Sequence, residues 1–229
     1  VRCRSGFRAV LGLLLCAAGG ATPGRLDAYP LDGYAATGIG RLDEARLVQE
    51  GARPGVKQPR GATLPREAVD IRLFGATYDL PPPDPDFTGR VRALLGEYAD
   101  RYAVSLLDLS DPTAPRYAEW HGDVLRNPGS VGKLMVALAL FQALADLYPD
   151  DEARRWEVLK TTIVTADEFV LRDSHTVRRW NPEREELVRR PLAPGDRATL
   201  LEFVDWMLSA SSNSAAAAVM KEGMLLRAY

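Results

Sequence analysis

The chain has 229 residues, 46% hydrophobic and 26% charged, a globular composition with enough apolar content for one sizeable core or two small ones. Its formal net charge of -2 carries no electrostatic footprint for nucleic acid or for an anionic membrane surface, so both are set aside as partners.

Arg2, Arg4 and Arg8 precede an apolar run over 9–18 and the small residues Gly19, Gly20 and Ala21, the order of a secretory signal peptide over 1–21. The run is too short to span a bilayer comfortably. Its cleavage removes three arginines and no acids, and the expected location of the mature chain is periplasmic or secreted. Both cysteines, Cys3 and Cys16, fall in this leader, so no disulfide and no cysteine-ligated metal is expected. Leu15 stands where a lipoprotein signal favours a small residue, which makes an anchor at Cys16 the weaker reading.

Residues 22–86 read as a Pro/Gly-rich accessory segment and linker. Within it, 41–51 carries an amphipathic helix stopped by Gly51, and 68–75 alternates like a strand. The run PPPDPD over 81–86 predicts a stiff connection, neither helical nor part of a sheet ladder, and hence a boundary before a domain over 87–229.

In that domain Val91, Leu94, Leu95 and Tyr98 share one helical face over 88–102, and strands are predicted over 103–110 and 116–123 around the turn at DPTAP. A helix follows over 130–148, apolar all round apart from Lys133, Gln142 and Asp146, which predicts burial at the centre of the domain. After a charged, Trp-containing stretch over 150–190, Thr199 and Glu202 are spaced as a capping box. Leu200, Phe203, Val204 and Met207 line one face of the helix they open. A serine-rich break, SASSNS, leads into an alanine-rich helix from about residue 215. Helix, antiparallel hairpin and buried helix together predict an α+β layered domain.

The stretch NPGSVGKLMV holds the chemistry-bearing candidates, Ser130 and Lys133. A phosphate-binding loop would need glycine where Asn127 stands and a hydroxyl where Leu134 stands, so nucleotide binding is a remote alternative. The bland alternative makes Ser130 a helix cap and Lys133 a solvated surface residue. Against it, the chain uses 25 arginines and four lysines, and lysine alone of the two can lose its proton to serve as a base. A serine at a helix start with a lysine one turn later forms a nucleophile with its base beside free backbone N–H groups. A Ser-His-Asp triad fits less well, since Pro128 replaces the first glycine of a nucleophile elbow and the two histidines, His121 and His175, read as structural or exposed. In the SASSNS break, Ser211 and Asn213 can offer a second hydroxyl and a side-chain amide to one cleft. Taken alone, this break reads as a capping, flexible loop.

Together the two motifs resemble the serine β-lactamase and penicillin-binding protein superfamily, class A type, over about 87–229. The resemblance implies an all-α lobe beside an α/β lobe with an antiparallel sheet. It implies Ser130 as acylated nucleophile, Lys133 as its proton acceptor, Ser211 as proton shuttle and Asn213 as substrate contact. The implied partner is a β-lactam or acyl-peptide, such as peptidoglycan, with no cofactor and no metal. Ser212 stands where class A enzymes usually carry Asp, as in S-x-N penicillin-binding proteins, which keeps D-alanyl-D-alanine peptidase activity as an alternative. KTT at Lys160 lacks the glycine of K-T-G and precedes S-x-N, and neither a later K-T-G strand nor the acidic deacylation residue follows. The chain as written is therefore expected to be a truncated, inactive fragment. A non-catalytic cell-wall-binding module is the rival of a different class.

Overall fold

A computed structural model describes residues 31–59, 63–64, 68, 79–168, 173–181 and 183–228. The expected leader over 1–21 lies outside them, as does the strand expected over 68–75 beyond its first residue.

The chain enters through α1 (Gly33–Thr37) and α2 (Arg41–Glu50), which ends on Gly51 at φ 84, a left-handed stop that glycine adopts without steric cost. Leu42 and Val48 form the buried side of α2. Ile39 and Leu42 enter the same apolar cluster as residues from the later helices. The Gly40 N–H donates to Glu202 Oε1 at 3.1 Å, and the Arg41 guanidinium binds both oxygens of Asp205 at 2.6 Å. Residues ahead of the proline run thus pack into the main core.

The proline run is not wholly non-helical, as it was expected to be. Asp84 caps α3 (Pro85–Leu95), its Oδ1 accepting from Phe87 N at 2.9 Å, and Pro85 occupies the first turn, where its missing N–H costs nothing. A 3₁₀ turn (Gly96–Arg101) follows. Of the face expected to be apolar and covered, Val91 is buried, but Leu94 is 88% exposed and Tyr98 is half exposed. The reason is that α3 meets a single hairpin, β1 (Val104–Asp108) and β2 (Arg116–Trp120), paired antiparallel with Val104 opposite Trp120 and Asp108 opposite Arg116. Asp84 N donates to Tyr117 O at 2.8 Å, Arg116 pairs with Asp84 at 2.6 Å, and Trp120 Nε1 donates to Ala99 O at 3.0 Å.

A 3₁₀ turn (Gly129–Gly132) runs directly into α4 (Lys133–Leu147). Beyond it come α5 (Glu152–Thr161), β3 (Ile163–Thr165), β4 (Val177–Asn181), β5 (Glu186–Arg190), β6 (Arg197–Thr199), α6 (Leu200–Ser209) and α7 (Asn213–Ala228). β3 pairs with β6 and β4 with β5, both antiparallel. The described residues thus form an α+β fold of seven α-helices and three two-stranded antiparallel sheets. Thr199 Oγ1 accepts from Glu202 N at 3.2 Å, so α6 starts where the capping spacing predicts.

The main core gathers Leu140 and Leu144 of α4, Phe203, Trp206 and Met207 of α6, and Ala215 and Val219 of α7, with Phe203 and Trp206 meeting edge-on at 5.1 Å. The expectation that α4 is buried all round is corrected. Lys133, Ala137, Leu140, Ala143 and Leu144 are buried, while Leu134, Met135, Leu138 and Phe141 are exposed. An all-apolar helix has no periodicity to say which side is covered, and here α6 and α7 cover one side. On the other, a hollow of about 550 Å³ runs along α4 and α7, lined by Met135, Leu138, Met220 and Met224 among others.

Candidate active site

Gly129 enters the turn that presents Ser130 with φ 53, a backbone state that side-chain-bearing residues rarely adopt, and its N–H is held by Asn127 Oδ1 at 2.9 Å. Ser130 is exposed, and neither this turn nor α4 has a side-chain cap. The helix-cap alternative for Ser130 is therefore not realised. Nor is Lys133 a solvated residue: it opens α4 and is 8% exposed.

Lys133 Nζ lies 3.1 Å from Ser130 Oγ, 3.0 Å from Ser211 Oγ and 2.5 Å from the Ser211 carbonyl oxygen. No carboxylate pairs with it among the described residues. The three partners match its chemistry in either protonation state. An ammonium donates to all three oxygens. A neutral amine donates twice to Ser211 and accepts the Ser130 hydroxyl proton on its lone pair. The two S-x-x-K residues and the first S-x-N residue are thus gathered on one amine although Ser211 is 78 residues away in sequence.

Ser211 sits in the break between α6 and α7 at φ 57, left-handed without being glycine, a state that costs of order 1 kcal/mol or more and persists only where its surroundings hold it. Asn213 is the first residue of α7 and is exposed. Its backbone N–H donates to Asp173, and among the described residues its side chain makes no hydrogen bond to Ser130, Lys133 or Ser211.

Asp173 is the residue that sequence reasoning missed. Its side chain is 1% exposed. Oδ2 accepts from Ser212 Oγ at 2.9 Å, Asn213 N at 2.6 Å and Ser214 N at 3.0 Å. Oδ1 accepts from His175 N at 3.0 Å and lies 2.6 Å from His175 Nδ1. Burial alone works against its charge, but the N–H groups of Ser214 and His175, the His175 ring and the Ser212 hydroxyl outweigh it and hold the carboxyl well below the usual carboxylate range. A carboxylate can only accept, so Nδ1 is the protonated nitrogen of His175. Ser212 is fully buried, and Asp173 brings a carboxylate to its turn from another segment. It caps α7 and holds the backbone on either side of Ser212 in place. No local pattern announced it: it lies 39 residues before its partner, in a stretch of mixed charge.

Neither histidine hydrogen-bonds Ser130. His121 stacks on Trp120 at 4.3 Å, and His175 is committed to Asp173. Lys160 lies in the last turn of α5, reaching Ala36 O at 3.5 Å, so Lys160 and Thr161 are helical and Thr162 leaves the helix in an extended conformation. The 550 Å³ hollow is lined by none of Ser130, Lys133 or Ser211. Among the described residues no cluster of three His, Cys, Asp or Glu side chains could hold a metal ion. No protein-family model, curated protein or solved structure matches this chain.

Proposed function

We propose that this protein is an exported serine hydrolase of the β-lactamase and penicillin-binding type, acting on a β-lactam or a related acyl-peptide amide through an acyl-enzyme. The observation that carries the reading is the position of Lys133 Nζ, within hydrogen-bond distance of both Ser130 Oγ and Ser211 Oγ. In the first step Lys133, as the neutral amine, takes the Ser130 hydroxyl proton while Oγ bonds to the amide carbon. As the C–N bond breaks, Ser211 gives its proton to the leaving nitrogen and regains one from the Lys133 ammonium, which restores the base. Water then hydrolyses the Ser130 ester. Asn213, at the start of α7 beside Ser211, remains the proposed substrate contact.

The S-x-N form of the second motif, with Ser212 buried against Asp173, favours D-alanyl-D-alanine peptidase activity as a second reading. The full-length protein is expected to become covalently labelled by a fluorescent penicillin at Ser130, and Ser130→Ala to abolish labelling. Lys133→Arg, which keeps its proton, should slow labelling by about 10² to 10⁴. Nitrocefin turnover after labelling assigns a β-lactamase, and a stable adduct a peptidase. Wild type that binds penicillin without an adduct is a non-catalytic wall-binding module, and labelling that survives Ser130→Ala puts the nucleophile elsewhere.

A further inference from the structure

The β4–β5 hairpin carries two pairs of arginines, and they are treated differently. Arg179 and Arg190 converge on one buried carboxylate, Asp196: Arg179 is ion-paired with its Oδ1, and Arg190 reaches Oδ2 at 2.7 Å and Oδ1 at 2.5 Å. Arg178 and Arg189 stand directly opposite one another in the antiparallel register, on the other face, and neither guanidinium has a hydrogen bond or ion pair among the described residues. Like charges directly opposed across two strands cost stability, and nothing in the hairpin offsets this pair. Both line a hollow of about 420 Å³ whose other walls are Arg41, Ser174, His175, Thr176, Ser209 and Ala210, with no carboxylate among them.

Two acids whose partners line this hollow are already committed, and a third, Glu44, lines an adjoining hollow that Arg41 and Arg178 share. Asp205 is held by Arg41 and Asp173 by His175. Ser209 gives its hydroxyl proton to Asp205 O at 2.7 Å. The donors left over are two guanidinium forks and the hydroxyls of Ser174 and Thr176, and neither hydroxyl has a partner among the described residues. A group with three acceptor oxygens and two charges fits that surplus better than a single carboxylate, because it accepts from both forks and from a hydroxyl at once.

We propose that this hollow, formed by Arg178, Arg189, Ser174 and Thr176 behind the turn that carries Ser211, binds a phosphoryl group, free or on a small ester. The site is separate from the serine–lysine chemistry and does not depend on it. Inorganic phosphate and succinate are titrated in parallel against the protein by calorimetry at matched ionic strength, so that screening is equal in both. Phosphate is expected to bind saturably and more tightly than succinate, and Arg178→Gln/Arg189→Gln to weaken phosphate binding tenfold or more with the thermal midpoint of the free protein not lowered. Phosphate binding that is absent, non-saturable or unchanged in the double variant overturns the site. Succinate binding more tightly than phosphate overturns its assignment to a phosphoryl group. If the double variant fails to fold, Thr176→Val serves in its place, with a smaller loss of phosphate affinity expected and no change overturning the site.

Discussion

Around α6 and α7 the side chains of Phe203, Met207, Ala215 and Val219 are wholly shielded, whereas in the unit of α3, β1 and β2 Leu94, Tyr98, Tyr102 and Leu106 remain exposed beside buried Val91, Ala99, Tyr117 and Ala118. The apolar content of the two regions is similar in kind, and the difference lies in how many layers meet. Three helices with α2 and β4 alongside enclose a common interior, but one helix on a two-stranded hairpin covers a single face of each partner. Ser130, Lys133 and Ser211 are all anchored in or at the edge of the better-closed region. The candidate chemistry therefore rests on the better packed of these two regions.

The largest expected effect tests that contrast directly. Phe203→Ala should cost about 3–5 kcal/mol and Val91→Ala about 1.5 kcal/mol, measured by denaturant unfolding, with amide exchange slow in α6 and α7 and fast in β1 and β2. Equal losses would merge the two regions into one cooperative unit and break the comparison.

Next in size is Asp173→Ala, which strips the α7 cap and leaves the Ser212, Asn213 and Ser214 donors unmet, at about 2 kcal/mol. The folded carboxyl sits below its unfolded value, so its contribution is complete at neutral pH and shrinks as pH falls below about 3.9. Unfolding midpoints of wild type and variant should converge in acid. A constant gap down to low pH would show that packing, not the charge, holds the turn.

The smallest effect sharpens the place of α2. Burial pushes the Glu202 carboxyl up from its ordinary value, against the N–H of Gly40 that favours its charge. An acid raised in the folded state costs stability as pH rises from its unfolded value, about 4.3, through the folded one. Glu202→Gln, which keeps an acceptor for Gly40, should therefore gain on wild type over that window by less than about 1 kcal/mol and hold the gain at neutral pH. Thermal midpoints across that window read it. A loss at neutral pH would mean that the charge itself ties α2 to α6.

Much of this architecture was legible, and the failures have physical reasons. The α6 start followed from the Thr199–Glu202 spacing, the β1–β2 hairpin from its turn chemistry, and the Ser130–Lys133 contact from a rare lysine one turn into an apolar helix. The α3 start was legible as well, since Asp84 before Pro85 is a cap followed by a first-turn proline, but the proline run concealed it. The β4–β5 hairpin was missed because arginine occupies both of its faces, which leaves no apolar alternation to find. Asp173 was missed because a carboxylate that caps a helix from a distant segment has no local spacing, and the open side of α4 because an apolar helix looks the same from every direction.

That open side also has a redox consequence. Of the four methionines, Met207 is sealed in the core, while Met135, Met220 and Met224 stand 64%, 51% and 61% exposed along the furrow between α4 and α7. Mild peroxide should convert these three thioethers to sulfoxides long before the fourth, turning a greasy surface into a polar, chiral one without disturbing the interior. Met207 then serves as a built-in clock for unfolding, its oxidation reporting the moment the helices part.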